Sequence, residues 1–287
     1  MSRCLVTGHL GYIGSKVFKR LQELGHETIG VDYREDDRQN VSTLLAEDDD
    51  GAFHPYYEDL KPEYIFHLAC IPRVAYSVDE PVKTMVNNVI QTSHLLNFAR
   101  KTGVKRVIYS GSSSVLGNGA GPSSPYGLQK LISEMECELY SSLYGLDTVT
   151  LRYFNVYSPC QRVDGPYSTA IANWMECIRN GTNPFITGDG TQRRDMVHVE
   201  DVVAANIFAM EYTGEFAGKH YDIGTGSNVS LNEIKDIIKQ YHPEVVFENT
   251  PPRQGDIATS TADVLPLKHL GWTSKVNIAA GVKSCFD

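Results

Sequence analysis

Tyr126 and Lys130 stand four residues apart in the run Tyr126-Gly127-Leu128-Gln129-Lys130. On a helix that spacing brings both side chains to one face. A free phenol titrates near pH ~10, too high for a base at neutral pH. A neighbouring ammonium stabilises the phenolate and lowers that value. The pair is therefore a candidate for moving a proton, although a bare tyrosine–lysine pair is also what a solvated helix face offers. Ser112 strengthens the chemical reading. It lies in Tyr109-Ser110-Gly111-Ser112-Ser113-Ser114-Val115-Leu116-Gly117, a cluster of hydroxyls just past an apolar run. In open parallel sheets, ligands collect at such strand ends. Ser112, Tyr126 and Lys130 form the candidate catalytic set.

A second constellation lies at the N-terminus, where an apolar run leads into Thr7-Gly8-His9-Leu10-Gly11-Tyr12-Ile13-Gly14. Gly8 suits a tight turn, Gly11 a close approach of backbone to a pyrophosphate, and Gly14 close packing of helix on strand. A diphosphate then sits at the positive end of the following helix. Three spaced glycines alone also describe a structural turn; the strand before them and the helix after them supply the context that a dinucleotide site needs. Asp32 ends the next apolar run, at the distance where an acidic residue accepts hydrogen bonds from an adenosine ribose and repels a 2′-phosphate. That selects NAD over NADP, with Arg34 nearby as a moderating charge.

Positioning these groups requires a sheet. Arg3–Thr7, Thr28–Asp32, Tyr64–Ala69, Arg106–Ser110 and Thr148–Phe154 read as strands. Tyr12–Leu24, Val82–Lys101 and Pro125–Tyr144 read as helices between them. Strands that are apolar throughout are covered on both faces, so the sheet is parallel and flanked by helices. The expected fold is α/β, a doubly wound parallel sheet of Rossmann type with a small C-terminal substrate lobe. Residues 1–155 form the dinucleotide-binding domain and 156–287 mainly the lobe, with about 196–212 returning to the main body as strand and helix.

Composition narrows the partners. A net charge of -9 over 287 residues disfavours nucleic acid and anionic membranes. No two of Cys4, Cys70, Cys137, Cys160, Cys177 and Cys285 are in CxxC spacing, and no metal site is expected. Without a signal-like apolar stretch or a membrane-length run, a cytoplasmic protein is expected.

Taken in order, these motifs resemble the extended short-chain dehydrogenases across nearly the full chain. The resemblance rests on the Thr7–Gly14 loop, His67-Leu68-Ala69-Cys70, Asn88, Ser112 five residues before Gly117, and Tyr126 with Lys130. It continues through Arg152-Tyr153-Phe154-Asn155, then Gly190 through Arg194, Asp195, His198 and Asp201, then Arg253-Gln254-Gly255-Asp256, Ala262-Asp263 and Leu270-Gly271-Trp272. It implies that Tyr126 is the catalytic base, that Lys130 lowers its pKa and holds the nicotinamide ribose, and that Ser112 bridges the sugar hydroxyl and the phenol. It implies cofactor contacts from Gly8, Gly11, Tyr12, Ile13, Gly14, Asp32, Leu68, Ala69, Asn88, Tyr126, Lys130 and Tyr153. Asn155, Arg194 and Arg253 would hold a substrate diphosphate and Asp256 its ribose, with Ser112 and Ser260 facing the sugar. Two arginines suit a doubly charged diphosphate. Arg194 paired with Asp195 or Asp201, and Arg253 with Asp256, are the purely structural alternatives, and His198 is expected to pack rather than react.

Epimerases, dehydratases, decarboxylases and reductases share this scaffold. Elimination of water needs an extra acid and base, and the positions after Ser112 hold Ser113 and Ser114 instead of a carboxylate. Reductases of the family prefer NADPH, against Asp32. An NAD-dependent 4-epimerase of UDP-glucose/galactose or their N-acetyl analogues is the expected activity. A dehydratase or reductase on the same substrates, or a non-catalytic NAD-binding protein, are the alternatives. The two long helices match those that pair in family homodimers. The segments 33–63 and 118–125 are shorter than the resemblance leads one to expect; the first leaves the adenine-contacting aspartate unassigned, and the second leaves a thin lid.

Overall fold

The computed structural model describes residues 1–32, 61–161, 163, 169–252 and 257–286. The short 33–60 stretch and the Arg253–Asp256 motif lie outside the described residues. Two compact units emerge. One comprises Met1–Leu116, Gly121–Arg152 and Val203–Tyr221, the other Gly117–Ala120, Tyr153–Val202 and Asp222–Asp287.

The strands among the described residues are β1 (Arg3–Thr7), β2 (Glu27–Val31), β3 (Tyr64–His67), β4 (Arg106–Ser112), β5 (Asp147–Tyr153), β6 (Asn155–Tyr157), β7 (Phe185–Thr187), β8 (Arg193–Arg194), β9 (Met196–His198), β10 (His220–Ile223), β11 (Val229–Ser230) and β12 (Glu248–Thr250). Six of them form one sheet in the order β10-β5-β4-β3-β1-β2. β1 runs parallel to both β2 and β3, and β3 runs parallel to β4. The apolar character read from the sequence is real burial: four of the five β1 residues and six of the seven β4 residues are buried. The order reverses at β1, whose neighbours are β2 on one side and β3 on the other, and that reversal opens a crevice beyond the carboxyl ends.

Between the strands lie α1 (Tyr12–Glu23), α2 (Val74–Asp79), α3 (Pro81–Met85), α4 (Gln91–Thr102) and α5 (Pro125–Tyr144). The single helix expected over Val82–Lys101 is instead α3 and α4 joined by a π-helical turn, Val86–Ile90. An inserted residue of this kind leaves no periodicity signal, and such turns recur at functional sites. α5 begins where expected because Ser124 caps it, accepting the Gly127 N–H at 3.1 Å, with Pro125 in the first turn. Leu5, Ile65, Leu95, Leu96, Phe98 and Val107 are fully buried in the core of this unit, each contributing about 1.5–3 kcal/mol of transfer free energy.

The second unit has its own core, with Tyr157, Trp174, Met175, Ile186, Ile234 and Val282. β6 and β9 pair in parallel within it. Among the described residues no helix is long and apolar enough to cross a membrane, and no group of three side chains is set to hold a metal ion.

Candidate active site

The glycine loop follows β1 directly. Gly8 adopts φ 73 and donates its N–H to Val31 at 2.7 Å, while Gly11 donates to the Gly8 carbonyl at 2.9 Å. A Cβ on Gly14 would lie 2.0 Å from the Gly8 oxygen, and one on Gly8 would lie 2.7 Å from the Ala69 nitrogen. Only glycine lets α1, the loop and the Leu68–Ala69 backbone meet at these distances. Gly11 starts α1 without a side-chain capping hydrogen bond. Asp32, 4% exposed, accepts the Leu10 N–H at 3.1 Å and so sets a carboxylate beside the loop. A bare glycine cradle at a helix N-terminus, flanked by a fixed negative charge, fits the diphosphate and unphosphorylated ribose of NAD.

The catalytic candidates come together in the same unit. Ser112 ends β4, where its hydroxyl accepts the Ser114 hydroxyl at 2.9 Å and caps the short 3-10 turn Ser113–Val115. Tyr126 lies in the first turn of α5 and is held from behind, its N–H donating to the buried Ser77 hydroxyl at 3.0 Å. One turn on, Lys130 is 2% exposed and donates to the Ser110 carbonyl at 2.8 Å, with its ammonium 4.9 Å from the centre of the Tyr109 ring and 6.0 Å from that of Tyr126. Gly127 makes the approach possible, because a Cβ there would meet the Ser114 carbonyl at 2.7 Å.

Lys130 acts on the phenol in the expected direction, but burial opposes it. Burial pushes the Tyr126 phenol up to about 12, and the Lys130 charge and a hydrogen bond from Ser112 only pull part of the way back. In the protein alone the phenol is thus neutral at pH 7, and the lysine by itself does not make a base of it. Below the cluster, His67 is fully buried between two hydroxyls, Thr7 at 2.7 Å and Thr92 at 3.0 Å. Burial, with the Lys130 charge adding, pushes its imidazole down to about 3. His67 is a neutral structural link that ties the glycine loop to α4.

The second unit carries Asn155, Arg194 and Ser260 of the expected substrate residues. Tyr153, expected as a cofactor contact, ends β5 and is 8% exposed. The Asn155 side-chain amide donates to the Asp195 carbonyl at 3.0 Å, which leaves its oxygen as the polar end for a ligand. The Arg194 guanidinium donates to the Arg193 carbonyl at 2.9 Å. The two carboxylates proposed as its alternative partners are engaged elsewhere. Asp195 accepts Thr225, Gly226 and Ala262 N–H groups at 2.8, 2.9 and 3.1 Å, and Asp201 accepts those of Lys275 and Val276 at 2.8 and 3.0 Å. Ser260 pairs through its backbone with Arg193 and Asp195, on either side of Arg194, and its buried hydroxyl has no partner among the described residues. His198 packs edge-on against Tyr157 at 5.3 Å. Arg253 and Asp256 lie outside the described residues.

Sequence reading passed over Ser77, Tyr109 and Gln129, which are buried around the cluster. Each is a common residue type in an ordinary helix or strand position, and only the fold brings it to the site.

A parallel sheet reversing at a glycine loop, with a half-buried serine at the end of β4 and a buried tyrosine and lysine on α5, defines a Rossmann-type enzyme for a dinucleotide. Residues 4–224 match the NAD-dependent epimerase/dehydratase family, and the chain belongs to it. It is 32% identical to a UDP-glucose 4-epimerase of Mycolicibacterium smegmatis, over 98% of this chain and 96% of that protein. Among solved structures it is similar to UDP-glucose 4-epimerase with UDP-glucose from Thermotoga maritima, at TM-score 0.84 and 33% identity, covering 99% of this chain and 97% of the other. It is also similar to the UDP-N-acetylglucosamine 4-epimerase of Methanobrevibacter ruminantium M1 in complex with UDP-N-acetylmuramic acid, at TM-score 0.85 and 28% identity, with 99% and 97% covered.

Proposed function

We propose that this protein interconverts UDP-hexoses that differ in configuration at C4, passing through a 4-keto sugar, with NAD as its resident cofactor. The observation that carries this reading is the assembly of half-buried Ser112 with buried Tyr126 and Lys130 in the same compact unit as the glycine loop and Asp32. The 4-epimerase names of its relatives support it.

Gly8, Gly11, Tyr12, Ile13 and Gly14 would hold the cofactor's diphosphate, Asp32 its adenosine ribose and Lys130 its nicotinamide ribose, with Leu68, Ala69 and Tyr153 as further contacts; Asn88, whose side-chain amide is taken up by Ile71 and Gln129, would act through the loop it holds. When bound, NAD supplies reversible hydride acceptance at C4 and a positive charge near the phenol. Tyr126 takes the proton of the 4-hydroxyl and later returns it to the other epimer. Ser112 orients that hydroxyl toward the phenol, and Lys130 keeps the phenolate form accessible. Asn155, Arg194, Arg253 and Asp256 keep the UDP end bound while the keto sugar turns over. Nothing is gained or lost across the cycle, so the cofactor needs no exchange.

Dehydration is disfavoured because Ser114, where an acid would serve elimination, is a hydroxyl already donating to Ser112. Val82, Val86 and Ile90, and Leu128, Met135, Leu139 and Leu143, leave apolar stripes exposed at helical spacing. They suit a homodimer built on α3, α4 and α5, and a monomer in light scattering at micromolar concentration would contradict that assembly. All six cysteines are free thiols, which suits the cytoplasm. The deciding experiment is a panel of UDP-, GDP- and dTDP-sugars with identification of products. An epimer of unchanged mass from a UDP-sugar supports the reading; a product lighter by one water supports a dehydratase.

A further inference from the structure

Gln129 stands between Tyr126 and Lys130 in the sequence, but its side chain turns to the flank of α5 that faces the π turn. It is 1% exposed there. Its amide nitrogen donates to the Thr84 hydroxyl at 2.9 Å and the Pro81 carbonyl at 3.3 Å, and its oxygen accepts from the Asn88 amide at 2.9 Å. Asn88 sits within the π turn, 2% exposed. Its oxygen accepts the Ile71 N–H at 2.7 Å, and its nitrogen also donates to the Ile71 carbonyl at 3.3 Å.

Fixed backbone groups at both ends set the direction of this chain. The Pro81 carbonyl can only accept, so the Gln129 nitrogen faces it and the oxygen faces Asn88. The Ile71 N–H can only donate, so the Asn88 oxygen faces it and the nitrogen faces Gln129. Ser133, one turn beyond Gln129, adds a second grip by donating to the Asn88 carbonyl at 3.0 Å. Asn88 is thereby held at side chain and backbone by the helix that carries the tyrosine and lysine. It in turn clasps both backbone groups of Ile71, two residues past Ala69 in the loop whose Leu68–Ala69 backbone packs on the glycine turn.

We propose that Gln129 is a positioning residue for the C4 chemistry. Through Asn88 it fixes the Leu68–Ile71 loop relative to Tyr126 and Lys130, so that cofactor loop and catalytic helix move as one piece. The inference rests on the epimerase reading above. A buried amide that merely satisfied its neighbours would affect stability alone; a joint of this kind affects turnover and the ordering of the loop it holds.

The test compares wild type with Gln129→Leu and Gln129→Met, the second chosen to preserve side-chain length if the first folds poorly. With UDP-glucose as substrate, kcat should fall on the order of 10- to 100-fold, the scale of a small misplacement of reacting groups. KM for UDP-glucose should stay within about twofold, since uniform substrate binding is untouched. Asn88→Ala combined with Gln129→Leu should lose no more than the worse single variant, because both break one chain of contacts. Independently of any substrate, the Ile71 amide should exchange with deuterium on the order of tenfold faster in the Gln129 variants, whose loop opens locally. Unchanged exchange at Ile71 in a folded variant overturns the inference whatever happens to kcat. So does a fall in melting temperature with kcat unaltered. A wild type inactive on UDP-glucose and the other UDP-sugars defeats the epimerase reading instead, and the Ile71 exchange still decides whether Gln129 orders the loop.

Discussion

Replacing Tyr126 with phenylalanine removes one hydroxyl from a side chain that is 8% exposed and leaves the ring to pack as before. The backbone hold from Ser77 is untouched. Melting temperature and NAD content should therefore stay close to wild type, while catalysis should not. With the phenol pushed up to about 12 in the protein alone, ionising it at pH 7 costs about 7 kcal/mol, at ~1.36 kcal/mol for each pH unit. That cost already includes the help of Lys130 and Ser112, so the positive charge of bound cofactor and the substrate hydroxyl must offset most of it for Tyr126 to work. Losing the group should lower kcat by roughly 10²–10⁴, or about 3–5 kcal/mol in barrier. In wild type, kcat should climb with pH through the neutral range as the phenolate forms, and Tyr126→Phe should lack that limb. Steady-state rates across pH, with cofactor content measured on the same samples, provide the assay. Turnover within tenfold of wild type, or an unchanged pH limb in the phenylalanine variant, would refute the assignment of the base.

Three other outcomes follow from single side chains. His67 is neutral when folded, pushed down to about 3, but titrates near ~6.5 when unfolded, so between those values only the unfolded chain gains its proton. Stability should be complete above that upper value and decline below it, by about 2 kcal/mol at pH 5; urea unfolding of wild type and His67→Gln should differ in this acid slope, and equal slopes would contradict the buried, neutral imidazole. Asp32→Ala should narrow the preference for NAD over NADP by on the order of tenfold in calorimetry, and wild type binding both equally would remove Asp32 from selectivity. If Ser260, four beyond Asp256, faces the sugar as the family resemblance implies, Ser260→Tyr should cut turnover of UDP-N-acetylglucosamine by at least about tenfold while sparing UDP-glucose; N-acetyl activity left intact would place the gate elsewhere.

Much of this enzyme is written in local order along the chain. The spacing of Gly8, Gly11 and Gly14 between an apolar run and an amphipathic one is enough to place the dinucleotide loop, because the constraint is steric and confined to a few residues. Tyr126 and Lys130 share a face by helix geometry alone, and Ser124-Pro125 marks where that helix starts. The buried strands β1, β3 and β4 announce themselves by the apolar runs Cys4–Val6, Ile65–Phe66 and Val107–Tyr109. Other features needed the tertiary structure. Nothing in Val82–Lys101 signals the π turn at Val86–Ile90, since one extra residue in a turn leaves the hydrophobic period almost unchanged. Gln129 reads as an ordinary helix residue until the fold sets it against Asn88 and Pro81. The phenol is the clearest case. From its neighbours in sequence, a lysine four residues on should lower its pKa. In the folded protein the surrounding core removes the water that would solvate the phenolate, and that loss outweighs the lysine. Burial is a sum over residues distant in sequence, so only the assembled structure decides its size and its sign.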